Sequence, residues 1–128
     1  MRKLTLIAAL IVLLTALAAC GGPVAKLVEA DNGTAVDLKT GETFTISLEG
    51  NPTTGYSWEV SGIDPALVEL VGEPDYKSDS SLIGAGGMFT FTFKAVAAGS
   101  APISLVYHKP WEEDVLPLKE FMVTVIVK

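Results

Sequence analysis

Apolar and polar side chains alternate along much of the chain after residue 34, and this alternation constrains the fold more than any other feature of the sequence. A period of two places every second side chain on one face of a β-strand, so that one face packs on a core while the other meets water. Apolar segments at 56–60 and 67–71 add to the count of strands. The alternating apolar positions are Val36, Leu38, Phe44, Ile46, Leu48, Phe89, Phe91, Phe93, Ile103, Leu105, Tyr107, Phe121, Val123, Val125 and Val127.

Turn residues separate these segments, and no ten-residue window repeats its apolar residues with the period of a helix. About seven strands at this spacing are typical of two antiparallel sheets stacked face to face. The predicted fold class is therefore all-β, an immunoglobulin-like antiparallel β-sandwich.

The N-terminal segment has a different pattern. Arg2 and Lys3 precede a run of apolar residues from Leu4 to Ala19, and small residues lead up to Cys20. This order is that of a bacterial lipoprotein signal peptide, so we predict cleavage before Cys20 and attachment of lipid to its thiol. Two acyl chains would anchor the protein in a membrane of the bacterial cell envelope, outside the cytoplasm, facing the periplasm or at the cell surface. An uncleaved membrane helix is the alternative, because residues 4–25 lack charge and a span needs about 20 residues.

The chain thus divides into three predicted parts. Residues 1–19 are the signal peptide, residues 20–33 are the lipidated N-terminus and a tether rich in small residues, and residues 34–128 are one domain. A domain of this size can bury a core without a disulfide or a structural metal. We expect it to be a monomer.

Composition narrows the function of this domain. Beyond residue 19 the chain carries seven Lys, no Arg and fifteen Asp or Glu, a net charge of −8 that makes nucleic acid an unsuitable partner. Cys20 is the only cysteine and His108 the only histidine, which excludes an internal disulfide and a multi-histidine metal site. No serine lies in a nucleophile elbow, and Cys20 is assigned to lipid, so His108 has no recognisable nucleophile. We expect binding, without catalysis, metal or cofactor.

The predicted order of strands places the long connections at one end of the sandwich. If the chain reverses direction at every strand, the short turns at 39–42, 62–66 and 97–99 lie at one end. The connections at 51–55, 72–87 and 108–117 then lie at the other, unless a short strand around residues 75–77 shifts the count. Long loops on a rigid scaffold are typical of a binding surface.

Three segments of these long connections carry residues suited to contact. The first, residues 51–56, is a turn stiffened by Pro52 whose threonine hydroxyls are suited to bond a partner. The second, residues 84–87, is rich in glycine and permits close approach of backbones. The third places Trp111 after a proline at the tip of a loop, a residue type common at binding hot spots, whereas Trp58 lies mid-strand and is expected in the core. Each segment alone is also compatible with a plain turn.

Two further polar features lie near the third segment. His108 is expected to form a hydrogen bond at the base of the loop. The acidic residues Glu112, Glu113 and Asp114 are interpreted as a solvated face of the loop, with weak cation binding as the alternative.

Taken in order, Asn-Pro-Thr-Thr-Gly-Tyr, Gly-x-Gly-Gly and a basic-Pro-Trp triplet on a β-sandwich of this size resemble the chagasin family of cysteine peptidase inhibitors, inhibitor family I42, in a bacterial lipoprotein form. The resemblance covers residues 34–128. It implies reversible, noncovalent inhibition of papain-like cysteine peptidases, with the first segment in the catalytic cleft and the other two on its sides. The residues that would contact the peptidase are Asn51, Pro52, Thr53, Thr54, Gly55, Tyr56, Gly84, Ala85, Gly86, Gly87, Lys109, Pro110 and Trp111.

The sequence departs from the family pattern at one position. The third motif of the family usually begins with arginine, and here the residue is Lys109. Lysine keeps the charge but lacks the planar fork of a guanidinium, so a bidentate contact is not available there. An adhesion or structural binding module of the envelope, using the same loop tips, is the alternative function.

Overall fold

The structure is a computed structural model that describes residues 22–128, and within them nine strands form two sheets. The predicted signal peptide and Cys20 lie outside the described residues. Single 3-10 turns occur at Glu29–Asp31 and Pro52–Thr54. The strands are β1 Ala25–Leu27, β2 Ala35–Leu38, β3 Thr43–Gly50, β4 Ser57–Gly62, β5 Val68–Leu70, β6 Asp75–Ser78, β7 Gly87–Ala95, β8 Gly99–His108 and β9 Lys119–Val127.

The predicted all-β sandwich is confirmed. One sheet has the order β1-β3-β7, with β5 and β6 both paired to the outer side of β7, and the other sheet has the order β2-β9-β8-β4. The expectation of purely antiparallel pairing was wrong in two places, since β1 runs parallel to β3 and β2 runs parallel to β9. Both parallel pairs involve the N-terminal segment. It runs alongside β3 in one sheet, crosses over at residues 28–34 and then runs in the opposite direction alongside β9 in the other sheet.

The segment predicted as a tether is shorter than expected. The backbone N–H of Val24 donates to the carbonyl of Thr43 (2.8 Å), and β1 pairs with the start of β3 directly afterwards. The folded domain therefore begins about ten residues before Thr34. Three residues are too few to reveal a period of two in the sequence, which is why this strand was not predicted.

The strands β5 and β6 are two parts of one interrupted edge strand. Both run antiparallel to β7, with Leu70 opposite Phe93 and Asp75 opposite Thr90, and the N–H of Val71 donates to Thr92 between them. Since β5 and β6 run in the same direction, the extra strand adds no reversal of the chain. The end of the sandwich predicted for each later connection is therefore unchanged. The connection predicted at 72–87 is thereby shortened to residues 79–86, at the predicted end of the sandwich.

The core lies between the two sheets and follows the alternation in the sequence. Each apolar position of that pattern is buried, and Trp58 is only 4% exposed, as predicted. In the part of the chain from residue 22 onwards, the structure contains no helix of the length and apolar character needed to cross a membrane. The largest fully buried side chains are Phe44, Phe91, Phe93 and Phe121.

Candidate functional site

Three loops meet at one end of the sandwich, which we call the loop pole. The first loop (residues 51–56) joins β3 to β4, the second loop (residues 79–86) joins β6 to β7, and the third loop (residues 109–118) joins β8 to β9. Gly50 is paired with Gly87, and Ser57 is paired with His108, so β3, β7, β4 and β8 bring the loops to the same end. The predicted convergence of the three segments is confirmed.

The first loop is a 3-10 turn held by its own polar groups. The Oδ1 of Asn51 accepts from the backbone N–H of Thr53 (3.1 Å) and from its hydroxyl (2.6 Å). The Thr54 hydroxyl donates to the Asn51 carbonyl (2.6 Å), and Gly55 ends the turn with φ of 90°. Both hydroxyls therefore donate within the turn in the free protein, and their predicted contact with a partner stays a prediction.

A side-chain hydrogen bond ties the first loop to the second. The Nδ2 of Asn51 donates to the carbonyl of Gly84 (2.9 Å). The second loop closes on itself through bonds from Asp79 N–H to Gly86 (3.0 Å) and from Ala85 N–H to Leu82 (3.2 Å). Asn51 thus uses its acceptor within one loop and its donor on the next.

Gly86 and Gly87 differ in their surroundings. Gly87 is buried at the start of β7, and a Cβ there would collide with the carbonyl oxygen of Lys77 on β6. At Gly86 a Cβ would lie 3.3 Å from the carbonyl oxygen of Gly50, a milder conflict. The glycine-rich motif therefore permits close packing of backbones inside the domain, and only Gly84 of its residues is strongly exposed at the tip.

The third loop packs against the first through an indole and an ammonium group. A Cβ on Gly55 would lie 2.6 Å from Cη2 of Trp111, so the ring covers this glycine. Trp111 is nevertheless 68% exposed, which confirms that it lies outside the core. The Nζ of Lys109 lies 5.2 Å from the centre of the Tyr56 ring and 3.7 Å from Oε1 of Glu112. The lysine at the variant position of the motif thus connects two loops of the site.

Aromatic side chains support the first loop from below. The hydroxyl oxygen of Tyr107 accepts from the N–H of Asn51 (2.7 Å), and its ring stacks on Tyr56 at 5.3 Å. Trp58 packs on the Tyr107 ring with the ring centres 5.2 Å apart, and its Nε1 donates to the carbonyl of Glu49 (2.9 Å). The loop therefore rests on a stack of three aromatic rings, of which Trp58 and Tyr107 are buried.

His108 lies at the base of the third loop, as predicted. Its Nε2 is 2.8 Å from Oε2 of Glu59 on the neighbouring strand. Among residues 22–128 no group of three or more Cys, His, Asp or Glu side chains is placed to hold a metal ion, and the acidic residues 112–114 form no such group.

Several apolar side chains at the loop pole were not predicted. Leu82 and Ile83 form the tip of the second loop and are 76% and 106% exposed. Val115, Leu116 and Leu118 of the third loop are also exposed. The apolar pair stands out in the sequence because it lies inside a polar, glycine-rich connection between strands, but a connection can also contribute core residues, as Leu67 does. Exposed apolar side chains grouped in this way are typical of a protein-binding surface.

Sequence comparison places this chain among known proteins. A sequence model of the chagasin family of peptidase inhibitors, I42, matches residues 37–125. Chagasin from Trypanosoma cruzi is 37% identical over 90 residues, which cover 67% of this chain and 82% of chagasin.

Two solved structures share the fold. A cysteine protease inhibitor from Entamoeba histolytica is 24% identical with a TM-score of 0.71, and the match covers 84% of this chain and 100% of that one. PbICP-C, solved in complex with falcipain-2, is 19% identical with a TM-score of 0.56 over the same shares of the two chains. The family match and the identity to chagasin show that this chain belongs to the chagasin family of peptidase inhibitors and is not an enzyme.

Proposed function

We propose that this chain inhibits papain-like cysteine peptidases by filling the catalytic cleft with the first loop while the second and third loops hold its sides. The observation that carries the proposal is the coupling of the three loops. Asn51 bonds the second loop through Gly84, and Gly55 lies under Trp111 of the third. The loops therefore form one continuous rigid surface rather than three independent tips.

The first loop is suited to fill a cleft without being cleaved. A peptidase of this class cuts an extended segment of chain, whereas residues 52–54 form a tight 3-10 turn closed by the Asn51 side chain. A turn of this shape does not align a peptide bond along the cleft for attack. Because the turn is already ordered, binding costs little additional conformational entropy.

The flanking loops supply the apolar contact. Trp111 presents most of its ring to solvent, and Leu82 and Ile83 do so from the opposite flank. Burial of such side chains at the centre of an interface carries much of the binding free energy. Complexes of peptidases with protein inhibitors bury about 1,600 Å² in total, an area that three adjacent loops can supply.

The comparisons favour this function over the adhesion module. A structure that shares the fold is named as a cysteine protease inhibitor, and another was solved in complex with falcipain-2.

The direct test is a titration of papain with the fragment 22–128. We expect competitive inhibition that is reversed by dilution, with the inhibitor recovered intact by mass spectrometry. Trp111→Ala should weaken inhibition while the free energy of unfolding changes little, because the ring is exposed. Full papain activity beside an excess of folded fragment, repeated with several related peptidases, would reject the proposal.

We also propose that the mature protein begins at Cys20, carries lipid on that residue and works in the bacterial cell envelope outside the cytoplasm. The support is the order of basic residues, apolar run and small residues before Cys20. Expression of the full chain in a bacterium should give a membrane-bound product whose mass includes the lipid. A Cys20→Ser chain is the matched control and should lack the mass of the lipid; a soluble, unmodified wild-type product would contradict the proposal.

A further inference from the structure

The start of the described chain lies at the end of the sandwich opposite the loop pole. Val24 bonds to Thr43 at the start of β3, and β1 then runs parallel to β3 from that point. The first loop follows the other end of β3, after Gly50. Eight residues of strand at about 3.4 Å each separate the two places by about 25 Å. We call the end near Thr43, which also carries the turns at 39–42 and 96–98, the opposite pole.

The chain between Cys20 and this point is short. Only Gly21, Gly22 and Pro23 separate Cys20 from Val24. Even fully extended, the four steps from Cys20 to Val24 span at most about 14 Å, at roughly 3.5 Å per residue. A lipid on Cys20 therefore cannot lie beside the loop pole while the opposite pole points to water.

The two poles also differ in net charge. The three loops carry Asp79, Glu112, Glu113 and Asp114 against one basic residue, Lys109. At the opposite pole, Lys39 and Lys128 balance Glu42 and Asp64. An anionic bilayer surface repels the loop pole and does not repel the opposite pole, within a distance of about 10 Å at ordinary ionic strength.

We infer that the opposite pole faces the membrane in the lipid-anchored protein, so that the loop pole points away from the bilayer and captures soluble peptidases arriving from the aqueous side. This inference rests on the proposed function, both for the lipid on Cys20 and for the role of the loops. It assigns to the turns at 39–42 and 96–98 a second surface, placed against phospholipid headgroups. The anchor then leaves the inhibitory surface free, and no rearrangement of the domain is needed for a peptidase to bind.

Fluorescence quenching tests the orientation with the intact lipoprotein. The full chain is purified in detergent and reconstituted into vesicles of phosphatidylethanolamine and phosphatidylglycerol that contain a lipid with a nitroxide on its headgroup. Because the Cys20 thiol is occupied by lipid, a single new cysteine takes the fluorophore, in Ala98→Cys at the opposite pole or in Ser81→Cys in the second loop. Both positions are exposed. The same proteins in vesicles without nitroxide lipid are the controls.

We expect the label at position 98 to lose most of its fluorescence and the label at position 81 to keep nearly all of it. Equal quenching at both positions, as for a domain lying on its side, would overturn the inference. Stronger quenching at position 81 would overturn it as well, and so would failure of the purified chain to bind the vesicles.

A papain assay on vesicles of the unlabelled wild-type chain separates this inference from the proposed function. The anchored protein should inhibit papain as strongly as it does after release into detergent, since its loops are already free. If release strengthens inhibition several-fold, the membrane covers the loop pole and the orientation is wrong. If papain is inhibited in neither state, the proposed function fails, while the quenching ratio still reports the orientation.

Discussion

The indole of Trp111 lies directly on Gly55, at a distance where a single added methyl group would meet its Cη2 atom at 2.6 Å. This contact joins the tip of the third loop to the end of the first. It also explains why glycine is suited to position 55 on two grounds, the left-handed φ of 90° and the lack of space for a side chain.

Gly55→Ala should therefore weaken inhibition of papain and also destabilise the fold. The left-handed conformation costs an L-residue about 1–2 kcal/mol, and the new methyl group displaces the ring of Trp111. We expect an inhibition constant at least about tenfold higher, which corresponds to about 1.4 kcal/mol. Gly72→Ala is the matched control, because Gly72 has φ of 67° with nothing within 4 Å of an added Cβ. Equal inhibition by the two variants would show that the Trp111 contact has no role in binding.

Asn51→Asp should uncouple the first two loops while leaving the first loop capped. A carboxylate retains the acceptor used by Thr53 but loses the donor to Gly84, and it places a negative charge 2.9 Å from that carbonyl oxygen. The lost bond is worth about 1 kcal/mol, so inhibition should weaken by about fivefold to tenfold. Hydrogen exchange at the amide of Ala85 in the second loop should become faster.

Ser81→Asp controls for the added charge, since it introduces a carboxylate at an exposed position of the second loop without removing a hydrogen bond. If it weakens inhibition as much as Asn51→Asp, the effect is one of charge and the coupling of the loops is not responsible.

Tyr107→Phe should destabilise the domain through the first loop. The N–H of Asn51 loses its acceptor in a partly buried position, which costs about 1–3 kcal/mol. Urea denaturation should show this as a lower midpoint, and the amide of Asn51 should exchange faster with solvent. Tyr56→Phe is the control, because within residues 22–128 the structure gives the Tyr56 hydroxyl no hydrogen bond. Identical midpoints for the two variants would contradict the support assigned to Tyr107.

Gly87→Ala should detach β6 from the sheet. The new Cβ collides with backbone of Lys77, which cannot move aside as a side chain can, and overpacking of this kind costs about 1–3 kcal/mol. Faster hydrogen exchange over Asp75–Ser78 is the expected signature. Gly86→Ala should have a much smaller effect on this strand, since its nearest contact would be at 3.3 Å. Unchanged exchange in Gly87→Ala would mean that β6 does not depend on this close approach.

The sequence predicted those parts of the fold in which a period of two repeats long enough to be recognised. The strands β3, β7, β8 and β9 are eight or more residues long, and their alternation also identified the core. The strands β1 and β6 have three and four residues, and β6 keeps only Tyr76 partly buried. Such segments are strands because a longer neighbour offers them an edge, and that neighbour is not visible locally in the sequence.

In the candidate site, too, local features were predicted from the sequence and long-range contacts were not. Turn chemistry identified the first loop, and the position of Trp111 after a proline placed it outside the core. The bond from Asn51 to Gly84 joins residues 33 positions apart and depends on the register between β3 and β7. The inward direction of the threonine hydroxyls likewise follows from the 3-10 turn, which composition does not specify. The sequence thus predicted which segments meet but not how they are bonded.

Ile83→Ser should weaken inhibition without affecting stability, because Ile83 is fully exposed at the tip of the second loop. Removing an exposed side chain changes the free energy of unfolding by less than about 0.5 kcal/mol. If the side chain is buried against the peptidase, its loss costs about 1.5–3 kcal/mol of binding, which raises the inhibition constant at least about tenfold. Val71→Ser is the matched control, since Val71 is an exposed apolar residue between β5 and β6, outside the three loops. Inhibition that is unchanged in Ile83→Ser, or weakened equally in both variants, would show that the apolar tip of the second loop does not contact the enzyme.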